Sequence, residues 1–407
     1  MMHTRFTSAS AFLVVAVLVL SLGSGVAHGA RARHVDEIET LPENEDEQRL
    51  WDIASGHENN IGNEGRLIRD REMEAYLEGI AERLLQGRLA HLDIEIDFII
   101  VQNNLLSAWV YPYGTIAVNT GLLAGMENEA QLAAILAHEL SHFMQRHSYR
   151  ELISENRQSF IGKGLGLLTT AAVAAKTGVV DTGLMKAGGM WTDLVTSGYS
   201  RKNEHAADAE GLELMAVANY DRAQAVKAFE LLKQNDAYGV VSPALLWSSH
   251  PTLDDRIDNL EKAVAREQRR KDHRPGEVPQ SAAYYRAIAP ALLRTGAQDV
   301  NERYFERARL AFQKYRDARP DEAQGHFLIG ETYRLEAPDG PDFESRMAAY
   351  QAAIAAEPEF AAAHKELGLA HRQQGHTEPA RAALEQYLAL EPDAVDAGII
   401  RWYLDGL

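Results

Sequence analysis

A five-residue segment, His138-Glu139-Leu140-Ser141-His142, constrains the fold of this chain more than any other feature. Two histidines four residues apart face the same side of a helix, because residues i and i+4 lie about one turn apart. Such a pair can hold one metal ion with both imidazoles, and the carboxylate next to them is a candidate base. We therefore predict a helix here, with zinc bound by His138 and His142 and with Glu139 as the base.

The residues around the motif also have the pattern of a helix. Asn128 can cap it, with Gln131 three residues later, and neither Gly nor Pro occurs from residue 129 to 145. Apolar residues recur at helical spacing, at Leu132, Ile135, Leu136, Leu140 and Phe143. The alternative is that the two histidines are exposed on a surface helix, and a third ligand argues against it.

A second pair of residues with helical spacing supplies that candidate ligand. Glu204 and Asp208 are four residues apart, so a second helix can present both carboxylates on one face. Catalytic zinc takes three protein ligands in many enzymes, and two histidines with one glutamate are a known set. Glu204 is therefore the candidate third ligand. Solvated charges on a helix surface are the alternative interpretation of this pair.

Four motifs together resemble those of the HtpX-like zinc metallopeptidases, the gluzincins of metallopeptidase family forty-eight. They are the segment from His138 to His142, Gly121-Leu122-Leu123, the stretch from Ser200 to Asp208, and Ser249-His250-Pro251. The resemblance implies one zinc ion per chain, bound by His138, His142 and Glu204. It also implies that Glu139 is the catalytic base, that Asp208 supports the ligands, and that the domain is an α+β zincin type, mainly helical with a small sheet.

Two further residues have roles that the sequence leaves open. His250 follows a Ser-Ser pair and precedes a proline, which favours a loop. The resemblance implies that a histidine here can fill the fourth zinc position and keep the enzyme latent, whereas a surface histidine is the alternative. Arg256 either stabilises a transition-state oxyanion or forms a salt bridge that anchors its helix. His147 and His205 are interpreted as ordinary polar positions, and contact with the zinc ligands is the alternative.

Short apolar segments predict a small sheet beside the zinc helix. Residues 94–98 alternate as a strand does and continue to Val101, and residues 115–119 are the predicted neighbour. Residues 107–114 are either an edge strand, on which an extended substrate pairs through its backbone, or an ordinary core strand. Ser107 and Tyr113 depart from the family pattern in this segment, so the shape of the substrate subsites is not carried over.

The N-terminus has the layout of a secretory signal peptide in residues 1–30. His3 and Arg5 precede an apolar run from Ala11 to Leu20, and small residues follow. The chain has no cysteine, so disulfides and a lipid-modified N-terminal cysteine are not expected. Export without disulfides suits a bacterial periplasm, and a short uncleaved membrane anchor is the alternative.

Charge and hydropathy limit the partners of the chain. The formal net charge of -18 argues against nucleic acid, which would be repelled. Residues 160–180 are apolar but contain two lysines and several glycines, so a membrane-spanning helix is disfavoured. We expect this segment either to pack over the active site or to contact a membrane surface peripherally.

Composition and spacing divide the rest of the chain into four parts. They are an acidic, extended arm (31–52), a zinc metalloprotease domain (53–265), a linker (266–284) and an all-α domain (285–407). The last is predicted to consist of tetratricopeptide repeats, because Pro320, Pro358 and Pro392 end helical segments 38 and 34 residues apart. An unrelated helical bundle is the alternative. Stacked helix pairs form a concave surface that binds proteins.

The resemblance also implies a biological role. Exported family members with such repeats act on outer-membrane β-barrel proteins, which implies an endopeptidase for misfolded or stalled envelope proteins. The repeats would recruit the substrate or the β-barrel assembly machinery. The rival hypothesis is a chaperone or docking protein whose metal site is structural or latent. Glu139 discriminates between the two, because a structural site needs no base.

Overall fold

The computed structural model describes residues 32–153, 199–237, 253–270, 273–337, 340 and 342–407. Three of the predicted features lie outside these ranges, namely the signal peptide, the apolar segment 160–180 and His250. In the described part of the chain, no helix is long and apolar enough to cross a membrane.

The first half of the chain combines helices with short strands. Its elements are α1 (Glu45–Asn63), β1 (Leu67–Ile68), α2 (Arg71–Leu85), β2 (Phe98–Val101), β3 (Ala108–Val110), β4 (Ile116–Asn119), α3 (Thr120–Gly125), α4 (Glu129–Met144), α5 (His147–Ile153), α6 (Arg201–Val217), α7 (Ala223–Ala237) and α8 (Leu253–Gln268). The predicted α+β class, mainly helical with a small sheet, is confirmed.

Four short strands form one mixed sheet in the order β1-β2-β4-β3. The central strands β2 and β4 are parallel, with Ile100 opposite Val118, and each has an antiparallel neighbour on its other side. The first predicted strand begins at Phe98 rather than at residue 94, because the ladder with β4 starts where Phe98 meets Ile116. Among the described strands, β3 is an edge, which is one of the two interpretations of residues 107–114, and it packs against α4.

The predicted zinc helix is α4, and it is held at its N-terminal end. The side-chain oxygen of Asn128 accepts a hydrogen bond from the backbone N–H of Gln131 at 3.0 Å, so the predicted cap is present. Glu129, in the first turn, accepts hydrogen bonds from the hydroxyls of Tyr76 and Tyr220 at 2.6 and 2.7 Å. Every residue from 130 to 144 is buried. The helix therefore has neighbours on all sides.

The acidic arm is folded rather than extended. Arg146 follows α4 directly, is buried, and donates to Glu47 at 2.6 Å and to Glu43 at 2.7 Å. The ring of His34 lies 3.0 Å from the carboxylate of Glu210 on α6, and Val35 is fully buried. These contacts provide partners for the carboxylates of the segment, so the arm packs across the C-terminal end of α4.

The second half of the chain is helical throughout its described residues. Its elements are α9 (Ser281–Ala287), α10 (Ala289–Asn301), α11 (Phe305–Ala318), α12 (Ala323–Glu336), α13 (Phe343–Ala356), α14 (Ala361–Gln373), α15 (Thr377–Leu390) and α16 (Ala397–Asp405). The helices α10 to α15 form three consecutive packed pairs.

The three pairs repeat one packing contact. A glycine on the first helix of each pair faces a large side chain on the second: Gly296 faces Phe312, Gly330 faces Tyr350 and Gly368 faces Leu384. A Cβ at Gly296 or Gly330 would lie 2.4 Å from the opposing ring, so the two helices can approach this closely only at glycine. The same contact recurs at the repeat spacing predicted from the prolines, and the tetratricopeptide-like architecture is confirmed.

The first helix pair also packs on the first half of the chain. Ile288, Leu292 and Tyr315 belong to the same buried cluster as the residues around α4. The hydroxyl of Tyr284 donates to the carbonyl of Leu123 at 2.6 Å. Lys314 donates to the three carbonyls that end α3, those of residues 124, 125 and 126, at 2.6 to 3.3 Å. The core therefore continues across the predicted boundary at residue 285.

We predict that a chain ending at residue 284 is much less stable than a chain ending at residue 318. The shorter chain loses three large buried side chains, each worth about 1.5–3 kcal/mol. Its thermal midpoint should be lower by roughly 10 °C or more. Calorimetry on both chains measures the difference. Equal midpoints would show that the first helix pair does not stabilise the first half of the chain.

Candidate metal centre

Three buried side chains converge between α4 and α6. The Nε2 atoms of His138 and His142 are 2.9 Å apart, and they lie 3.6 and 3.5 Å from the carboxylate oxygens of Glu204. Tetrahedral zinc with bonds of about 2.0–2.1 Å needs donor atoms roughly 3.3 Å apart. The donor set and its spacing therefore fit one zinc ion. In the described part of the chain, these residues form the one group suited to hold a metal.

The helices α4 and α6 approach closely enough for their side chains to meet, because small and polar residues line their contact. A Cβ at Gly211 on α6 would lie 3.4 Å from the backbone nitrogen of His138, so the helix backbones are close at the level of the ligand. Further along α4, the Gln145 side chain donates to the carbonyl of Ala206 at 3.1 Å and to the carboxylate of Glu210 at 2.9 Å. The two i, i+4 pairs that the sequence predicts are therefore brought to one point.

Asp208 orients His138. One carboxylate oxygen of Asp208 lies 3.0 Å from Nδ1 of His138, which can donate its proton to that oxygen. The Nε2 lone pair is then directed towards His142 and Glu204, as metal ligation requires. Burial, together with the guanidinium of Arg256, lowers the pKa of His138 to about 4. The imidazole is therefore neutral at pH 7 and able to bind a cation.

Arg256 is fully buried in the centre of the same cluster. It donates to both carboxylate oxygens of Asp208, from Nε at 2.9 Å and from Nη2 at 2.6 Å, and its Nη1 lies 2.8 Å from Glu204. Of the two predicted roles, the anchoring salt bridge is present in the structure. Burial raises the pKa of Asp208, but Arg256 and His138 outweigh it and hold that pKa well below its usual range.

Glu139 belongs to the same buried group. It lies next to His138 on α4, and 1% of the residue is exposed. Burial lowers the pKa of Arg256, but the carboxylates of Asp208, Glu204 and Glu139 raise it overall. Glu139 therefore lies close enough to interact with Arg256, whose guanidinium lies 2.8 Å from Glu204 and 3.1 Å from both ring nitrogens of His138.

Two side chains contact the ring of His142, and one of them, His147, takes the alternative role that the sequence left open. Nδ1 of His147 lies 2.8 Å from Nδ1 of His142, and the ring of Tyr199 stacks on His142 with centroids 4.1 Å apart. The left-handed backbone at Arg146, with φ of 54°, ends α4 and turns His147 back towards the ligand. His205, by contrast, lies away from the ligands and 3.3 Å from Asn259.

This arrangement defines the domain as that of a zinc metallopeptidase, in which two helices present two histidines and one glutamate next to a small mixed sheet. Residues 71–264 match the profile of Peptidase family M48, and this part of the chain belongs to that family.

Curated relatives carry the same kind of domain. The chain is 27% identical over 206 residues to the putative beta-barrel assembly-enhancing protease of Vibrio cholerae, covering 50% of this chain and 42% of that protein. It is 27% identical over 231 residues to the beta-barrel assembly-enhancing protease of Escherichia coli, covering 56% and 45%. The mitochondrial metalloendopeptidase OMA1 of Schizosaccharomyces pombe is 30% identical over 171 residues, with 42% and 47% covered. The chain thus spans less than half the length of these relatives.

We predict that Asp208→Asn weakens zinc binding by about 10- to 100-fold, because the amide cannot hold the Nδ1 proton of His138 as a carboxylate does. Competition with a chromophoric chelator measures the affinity. Glu210→Gln is the matched control, since Glu210 is on the same helix but pairs with His34 and Arg88. Similar losses in the two variants would contradict the orienting role of Asp208.

Proposed function

We propose that the chain is an exported zinc-dependent endopeptidase that cleaves unfolded or stalled envelope proteins, outer-membrane β-barrel proteins among them. The observation that carries this proposal is the position of Glu139, a buried carboxylate next to a set of three ligands. Three protein ligands leave a coordination position for the reaction, whereas a structural zinc site is closed by four. A purely structural site would have no use for the additional carboxylate.

The residues have distinct roles in this reaction. His138, His142 and Glu204 would hold zinc, which supplies the Lewis acidity that polarises a peptide carbonyl. Glu139 takes a proton from the attacking water on its carboxylate and later delivers it to the leaving nitrogen. Asp208 keeps the proton of His138 on Nδ1, and Arg256 holds the carboxylates of Asp208 and Glu204 in place.

The edge strand β3 suits an extended substrate. It packs against α4, and its other neighbour in the described sheet is β4. A peptide that adds to this edge pairs through backbone groups, which every polypeptide has. Folded proteins offer few free extended segments, and this favours unfolded or unassembled chains as substrates.

Several observations support the envelope as the site of action. The first 30 residues have the layout of a signal peptide, and two relatives in bacteria are named for enhancing β-barrel assembly. The helix pairs α10 to α15 are of the kind that binds protein partners. We infer that they recruit stalled substrates or the β-barrel assembly machinery in the periplasm.

One observation favours the alternative function, that of a chaperone or docking protein. His138, Glu139 and His142 are each 1% exposed and Glu204 is fully buried, so the site is closed in the described structure. A closed site suits a structural or latent metal ion. Under this alternative, the helix pairs would perform the biological work, and cleavage would not be required.

We predict that Glu139→Gln retains about one zinc per chain but loses cleavage of an unfolded protein such as reduced casein by about 10²–10⁴-fold, because general-base catalysis contributes that much. Zinc analysis and a gel-based cleavage assay measure the two properties. Glu210→Gln should cleave normally. Unchanged proteolysis in Glu139→Gln would contradict the assignment of Glu139 as the base. Zinc binding without cleavage in the unsubstituted protein would favour the alternative function.

A second experiment addresses the substrates. Glu139→Gln should retain proteins that the unsubstituted protein cleaves, so its pull-down from cells with impaired β-barrel assembly should be enriched in unfolded β-barrel proteins. Mass spectrometry of both samples measures the enrichment. Equal amounts in the two samples would contradict the proposed substrate class.

A further inference from the structure

A cavity of about 370 Å³ lies between the metallopeptidase half and the first helix pair. Leu106, Gly125 and Leu231 line it from the metallopeptidase side, and α10 and α11 line it from the other side. None of the candidate ligands, and neither Glu139 nor Arg256, contributes to it. The cavity is therefore a separate place on the molecule.

One part of the cavity is apolar. Leu106 is buried, whereas Leu310 on α11 is 52% exposed although it is a large apolar residue. The volume is at the small end of the range for ligand pockets. It suits one large apolar side chain together with its neighbouring backbone.

The other part of the cavity has the features of an anion site. Phe305, Glu306 and Arg307 line it, and they form the first turn of the 14-residue helix α11. The N–H groups of a first turn have no acceptor within the helix, and they carry the positive end of the helix dipole. No side chain caps this end.

Thr295 provides an independent indication of a ligand. It is 3% exposed, lines the cavity, and its hydroxyl oxygen has no hydrogen-bond partner in the structure. Buried hydroxyls are almost always hydrogen-bonded, because leaving them unpaired is costly. A ligand with an acceptor oxygen in the cavity would provide the partner.

The charges around the cavity favour an anion. Arg307 pairs with Asp299 at 3.2 Å, and Glu336 pairs with Arg309. Arg303 and Lys314 contact no carboxylate among the described residues; Arg303 lies over the ring of Phe305, and Lys314 donates to backbone carbonyls. Two cations and the positive end of one helix are therefore opposed by one carboxylate without a salt bridge to a described residue, that of Glu306. The lining contains three acidic and three basic residues, and its positive groups without a carboxylate contact in the described structure are Arg303, Lys314 and the first turn of α11.

We propose that this cavity binds the carboxyl terminus of a polypeptide whose last residue is apolar. The α-carboxylate lies at the first turn of α11, next to Arg303. A backbone carbonyl of the same peptide accepts a hydrogen bond from the hydroxyl of Thr295, which lies further along the cavity, and the last side chain packs against Leu106, Leu231 and Leu310. The proposal rests on the proposed function in one respect, namely that the ligands of this protein are polypeptides. Chain ends would then be recognised at a distance from the bond that is cleaved.

Peptide binding to the full chain carrying Glu139→Gln tests this proposal. The probe is a short fluorescent peptide ending in leucine with a free carboxylate, and the comparison is the same peptide ending in a carboxamide. Fluorescence anisotropy should show binding about tenfold or more weaker for the carboxamide, because a charge-assisted hydrogen bond is lost. Equal affinities would overturn the proposal, and so would the absence of saturable binding.

Three substitutions locate the peptide. Thr295→Val removes the hydroxyl at constant shape, and Arg303→Asn removes the charge while tolerating the left-handed backbone there, with φ of 66°. Leu310→Asp places a carboxylate on the apolar wall. Each should weaken binding of the leucine peptide by about fivefold or more, with an unchanged melting temperature. Ile399→Asp is the matched control, since Ile399 is 55% exposed on α16.

The outcomes separate this site from the peptidase site. Equal effects of Leu310→Asp and Ile399→Asp would place the peptide elsewhere and overturn the proposal. Thr295→Val in the Glu139→Gln chain should lose peptide binding, whereas Thr295→Val in the chain that keeps Glu139 should cleave casein normally. This pair of results would support two distinct sites. Carboxylate-dependent binding by a zinc-loaded protein that cleaves nothing would overturn the proposed function while supporting this site.

Discussion

The buried pairing of Arg256 with Asp208 and Glu204 is the interaction on which the rest of the site depends. A guanidinium without solvent is stable only when carboxylates surround it, and here two carboxylates from α6 do so. The pairing joins α8 to α6, and through Asp208 it reaches His138 on α4. Removing one partner of such a group leaves a buried charge, at a cost of about 3–5 kcal/mol. The contacts that position the candidate ligands are therefore the same contacts that stabilise the domain.

The helix that carries the histidines is held at both ends by charged groups. At its start, Glu129 accepts hydrogen bonds from two tyrosines and one from Arg83 at 2.7 Å. At its end, Arg146 binds Glu43 and Glu47 from the N-terminal arm. A metal site built on such a helix is formed in advance, since the helix has little freedom to tilt or slide. This agrees with the requirement that three ligands meet within a few tenths of an ångström.

The sequence predicted the parts of the site that follow from the geometry of one helix. The pairs His138 with His142 and Glu204 with Asp208 are i, i+4 spacings, and such spacings fix a common face whatever the surroundings are. The contact of His147 with His142 follows instead from a left-handed residue between two helices, and the stacking of Tyr199 follows from the meeting of α6 with α4. The same holds for the folded arm and the core shared across residue 285, since both depend on partners more than 50 residues away along the chain. Spacing along one segment carries no information on such partners.

The hydrogen bonds of Lys314 have a mechanical consequence. The ammonium group belongs to the first helix pair, and the carbonyls that it contacts end at Met126, two residues before the Asn128 cap of the zinc helix. A rotation of the first helix pair therefore acts on the segment just before the zinc helix through Lys314, in addition to the contact of Tyr284 and the shared core. Displacement of the helical-repeat half would thus be passed on to the helix that carries His138 and His142.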